Sequence, residues 1–147
     1  MTRDKGGYRT VPSKGKEIIK HGDNIVAIII YNTHADEGVN FLTPDDFPKQ
    51  LGFLKHPTGH IIKPHTHKPI PRQITYTQEV LFIRSGRCRI NLYDTEGNHL
   101  DARELEGGDI ILLAHGGHGI EVLEDIEIIE VKQGPYLGED DKAHYFE

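Results

Sequence analysis

A chain of 147 residues, 36% hydrophobic and 27% charged, suits one ordinary domain with a packed core and lies outside the disordered and fibrous ranges. Its formal charge of −6, from 17 basic and 23 acidic residues, argues against a general nucleic-acid binder, whose affinity rests on neutralising phosphates. The longest apolar run, Ile25 to Ile30, falls far short of the roughly 20 residues that cross a bilayer, and the polar first residues do not read as a secretory signal, so no membrane contact is expected.

Residues 1–15 are polar and punctuated by Gly6, Gly7, Pro12 and Gly15, which describes an N-terminal arm. Residues 17–20 and 25–30 flank the turn sequence His21-Gly-Asp-Asn24 and predict a β-hairpin, its second strand apolar enough to be covered on both faces. From Asn32 to Pro48 the composition shifts to Thr, Asp, Glu, Gly and Pro, which predicts a loop or a short helical turn, a candidate lid. Short β-like segments follow at 50–55, 59–63, 74–84, 87–93, 99–105, 109–114, 119–123 and 126–132. Turn signals such as Pro57-Thr-Gly59, Ser85-Gly86, Gly107-Gly108 and His115-Gly-Gly117 separate them. Short strands punctuated by turns predict an all-β sandwich or barrel, with one domain over 16–135 and an acidic tail over 136–147. The single cysteine, Cys88, precludes an intramolecular disulfide and fits a reducing compartment, so the expected location is cytoplasmic.

The chemistry concentrates in the histidines. His65 and His67 flank Thr66, and on an extended strand alternate side chains share a face, so the pair would present two imidazoles side by side. Gly59 precedes His65, Glu79 opens the apolar strand Val80-Leu-Phe-Ile83, Gly86 turns that strand, and a second histidine-bearing turn runs from Gly108 to His118.

These residues resemble the cupin family. Its first motif places a glycine six positions before an H-x-H pair, then a glutamate, then a glycine seven positions after it. Gly59, His65, His67, Glu79 and Gly86 occupy those places, with an insertion around Pro69-Ile-Pro-Arg-Gln73 lengthening the gap before Glu79. The second motif is recognisable in Gly108 through His118, with Asp109 after the glycine, Ala114 where the family has proline, and His115 or His118 as its histidine, His118 preferred. The resemblance implies a double-stranded β-helix, the cupin or jelly-roll barrel, with motifs over 59–118 and the N-terminal β-hairpin as an extension. It also implies one divalent transition metal, Fe, Mn, Ni, Co or Zn, held by His65, His67, Glu79 and His118. Imidazole and carboxylate donors suit such ions and leave positions for water or substrate.

Arg87 and Arg89 alternate with apolar residues and share one strand face, where they would grip a substrate carboxylate or phosphate if that face lined the barrel. Arg72, Gln73 and Tyr76 sit in or beside the insertion and are candidate lip residues, with Glu79 or Tyr76 moving protons. The expected function is a metal-dependent dioxygenase or isomerase acting on a small polar metabolite. The alternatives are a metal-free cupin similar to sugar-nucleotide epimerases and ketoisomerases, or a non-catalytic metabolite-binding module. The resemblance further implies a homodimer.

Overall fold

In a computed structural model, residues 9–145 are described; Met1 to Tyr8 of the expected arm, and Phe146 and Glu147, lie outside the described residues. Strand β1 (Lys16–His21) and strand β2 (Asn24–Ile30) form the predicted hairpin, turning at Gly22 with φ +60°. Strands β3 (Gly38–Phe41) and β4 (Gly52–Lys55) form a second hairpin. Strands β5 (Glu79–Tyr93), β6 (His99–Glu106), β7 (Ile110–Leu113) and β8 (Gly117–Lys132) follow. The described residues contain no α-helix, and no helix is long and apolar enough to cross a membrane.

The chain divides into two compact units, Asp36–Tyr76 and the remainder. In the larger, the antiparallel order is β1-β2-β7-β5-β6, with β8 also on β5. Strand β5 organises the sheet. Its first half pairs with β7, its second half with β6, and β8 accompanies it from end to end. The β5/β8 ladder shifts register between Ile83 and Cys88, where Gly86 takes φ +83° and presses on the carbonyl of Asp125. Bulges of this kind raise local twist and bend a strand. The ribbon therefore curls into half of a barrel, with Leu81, Ile83, Cys88, Ile90 and Leu92 on its concave face.

The core joins these residues to Val26, Ala27 and Ile29 of β2, Leu105 of β6, and Ile111 and Leu113 of β7. The N-terminal hairpin is thus part of the core, because β2 pairs directly with β7. Cys88 is fully buried, and burial, with the charge of Asp109, pushes its thiol up to about 11. Asp109 is buried as well. Its carboxylate accepts hydrogen bonds from the Arg9 guanidinium, from the Asn32 backbone N–H at 2.8 Å and from the Glu106 backbone N–H at 2.7 Å. A buried charge is tolerable when its lone pairs are satisfied in this way.

The smaller unit departs from expectation in two places. The stretch Asn32 to Pro48 is not loop throughout, since Gly38–Phe41 is a strand, and the Phe41 ring covers Gly52 opposite it. The side chains of Thr43 and Gln50, joined at 2.8 Å, close the connection between β3 and β4. Conversely, residues 59–63 and 74–78 belong to no strand. Pro57, Pro64, Pro69 and Pro71 remove backbone donors along this stretch, and Ile61 and Ile62 are adjacent rather than alternating, so neither a ladder nor a one-faced strand is encoded.

Candidate functional site

Two residues far apart in sequence meet on the concave face. Glu79 opens β5 and shares a face with Leu81, while His118 opens β8 opposite Leu92, at the other end of the same ladder. The curl of the ribbon brings those ends together, and His118 Nε2 lies 2.5 Å from Glu79 Oε1. The turn before His118 needs Gly116, whose φ is +82° and whose Cβ would strike the carbonyl of Tyr93. His115 also lines the cavity, but of the two histidines in this turn it is His118 that pairs with Glu79.

Two further residues of β8 join the pair. Glu130 and Lys132 face Leu81 and Glu79 in the ladder, which puts both on the concave side. Glu130 hydrogen-bonds the Glu79 carboxylate, and the Lys132 ammonium stands 3.9 Å from Glu130. The His118 hydrogen bond outweighs burial and, with the Glu130 hydrogen bond and the nearby positive charge, pulls the Glu79 carboxyl down to about 2. Glu130 moves the opposite way, held above the ordinary range first by its hydrogen bond to Glu79 and then by burial. The two carboxyl groups are thus driven apart, with Glu79 the stronger acid of the pair.

These side chains line a cavity of about 820 Å³ in the larger unit, within the range of small-ligand sites at about 300–1,000 Å³. Val26, Leu81, Leu92, Leu113, Ile120 and Ile128 supply apolar wall, and the Glu79, His118, Glu130 and Lys132 group supplies the polar end. Their side chains are only partly shielded, 14% exposed for Glu79 and 33% for His118, as suits groups that meet a ligand.

The other sequence-predicted residues fall elsewhere. His65 and His67 belong to the smaller unit, in the stretch without strands, their ring centroids 5.4 Å apart and edge to face. They do lie side by side, but on irregular backbone rather than a strand. Arg72, Gln73 and Tyr76 are exposed in the same stretch. Arg87 and Arg89 lie on the convex face, where Arg87 pairs with Glu124 at 3.1 Å and Glu104 at 3.2 Å, and Arg89 with Glu121 at 3.0 Å. They do not line the cavity. His56 and His60, which lack ligand spacing in sequence, stack at 4.0 Å.

Sequence reasoning missed Glu130 and Lys132. Their signal was present, since both share a strand face with Ile128, but a charged pair near a strand end also describes an ordinary solvated edge. The donor chemistry of Glu79 and His118 fits a divalent transition ion. Among the described residues no group of three or more His, Cys, Asp or Glu side chains is gathered about one point. Comparisons with protein-family models, with curated proteins and with solved structures return no match.

Proposed function

We propose that this chain is a cupin-like protein with a double-stranded β-helix fold that binds one divalent transition metal and acts on a small polar metabolite, as an isomerase or a dioxygenase. The observation that carries the reading is the convergence of Glu79 and His118 at 2.5 Å inside a ligand-sized cavity. Their family counterparts are metal ligands, and the sequence pattern supplies His65 and His67 as the others. A bound ion would act as a Lewis acid, polarising a substrate oxygen. The chain's own groups then divide the remaining work. Glu79, ionised down to about pH 2, orients the His118 ring and fixes which nitrogen carries its proton. Glu130, the weaker acid of the carboxyl pair, is the group placed to exchange a proton at the cavity wall, and Lys132 favours an anionic or oxygen-rich ligand beside it.

The Glu79–Glu130 hydrogen bond favours isomerase chemistry over oxygenation, because moving a proton next to a carbonyl needs a base and an acid within reach. It also supports a second reading, a metal-free proton-transfer site similar to sugar-nucleotide epimerases and ketoisomerases. A soluble cytoplasmic homodimer is the setting we propose for either.

Elemental analysis of protein purified without a histidine tag separates the two. About one equivalent of a transition metal, lost in His65→Ala/His67→Ala and reduced in Glu79→Gln, is the expected result. Folded wild type without metal under metal-replete expression overturns the metal reading and leaves the proton-transfer one, for which keto-sugar nucleotides are the first substrates to assay.

A further inference from the structure

One wall of the cavity is a segment that no strand holds. Beyond β8 the chain passes through Gln133–Leu137, where Tyr136 and Leu137 are exposed and a side chain at Gly134 would meet nothing. A single 3-10 turn, Gly138–Asp141, then delivers Asp141 to Tyr145 to the cavity, which they line.

Side-chain contacts at the two ends fix this segment. Thr77 Oγ1, two positions before Glu79, donates to Asp141 Oδ1 at 2.8 Å. At the far end the Tyr145 hydroxyl donates to the Asp94 carbonyl at 2.8 Å. The Tyr145 ring rests on bare backbone, since a Cβ at Gly117 would run into its ring atoms and one at Gly97 would lie 3.1 Å from them. Gly97 has φ +89° and would be glycine in any case, but Gly117 does not adopt the left-handed conformation. Its missing side chain is explained by the ring it seats.

We infer that residues 141–145 form a strap along one side of the cavity, latched where Tyr145 sits on Gly117 and Gly97, and that the way in for a ligand widens when the latch lifts. Two side-chain hydrogen bonds and one seated ring hold the strap, so it opens at far lower cost than the sheet beneath it, with residues 133–137 as its pivot. The inference concerns access and holds whatever the cavity binds.

Diethylpyrocarbonate, which acylates accessible imidazoles, tests it on the full-length chain. His118 lines the cavity with its side chain 33% exposed, and His21, in the β1–β2 turn and not among the cavity's lining residues, is the control. Tyr145→Ala removes the latch, and Gly117→Ala fills its seat from outside the strap. Peptide mass spectrometry is expected to show His118 modified about two-fold faster in both variants, as its shielded part is uncovered, with His21 unchanged. Equal His118 rates in the wild type and both variants overturn the strap, as does a parallel rise at His118 and His21, which marks loosening of the whole unit.

Discussion

Glu79 carries a stability term whose sign follows from its neighbours. Its folded-state value of about 2 lies below the ordinary 4.5, so folding favours the ionised form. That stabilisation is complete above about pH 4.5 and disappears as the pH falls through about 2. Glu79→Gln keeps the shape and removes the charge, so it is expected to cost about 1–2 kcal/mol at neutral pH. The difference between variant and wild type should shrink as the pH drops from 4.5 towards 2. Chemical denaturation at a series of pH values reads this directly, and a pH-independent difference would refute the His118 pairing. Of the residues singled out in the sequence, the structure brings Glu79 and His118 together. Glu79 and His118 stood out because a carboxylate at the mouth of an apolar strand and a histidine after a glycine turn are unusual placements. Glu130 did not, because its role arises only when the curl brings it to Glu79, and no local pattern encodes a contact across the ribbon.

At the scale of the elements, the bend in β5 decides whether the site exists. Reading 74–84 and 87–93 as separate strands located the bend at Ser85-Gly86 but not the continuity through it, since turn residues and bulge residues look alike in sequence. The β-hairpin at 17–30 was read correctly because alternation and a tight turn are local signals. The cover on both faces of β2 was read as well, from its unbroken apolar run, but not its partner, because pairing of β2 with β7 joins segments far apart in the chain. Residues 59–63 show the opposite failure, an adjacent Ile61-Ile62 pair boxed between Pro57 and Pro64 that makes no strand for want of alternation. Gly86→Ala tests the importance of the bend. Holding alanine at φ +83° costs about 1–2 kcal/mol, and the added methyl also meets the Asp125 carbonyl. The expected loss is therefore about 2 kcal/mol or more by denaturant midpoint, together with weakened Glu79–His118 contact. A variant within about 0.5 kcal/mol of wild type would show that the ribbon bends without this glycine.

For the molecule as a whole, residues 57–77 are the longest run of exposed residues among those described. Trypsin finds few sites there, because Lys63 and Lys68 each precede proline, and the bond after Arg72 is the one left open between Lys55 and Arg84. Limited digestion is expected to cut first between Arg72 and Gln73, and first cuts within β5 or β8 would contradict the assignment of strands. The lone thiol of Cys88 offers a complementary view. It sits at the inner bend of β5, dry and held protonated at neutral pH, so an alkylating reagent reaches it only when the curl comes apart. The protein thereby contains its own clock. Labelling of Cys88 should keep pace with global unfolding of the larger unit and ignore the cut at Arg72, so one mass spectrum taken over time would separate nicking of the smaller unit from opening of the barrel half.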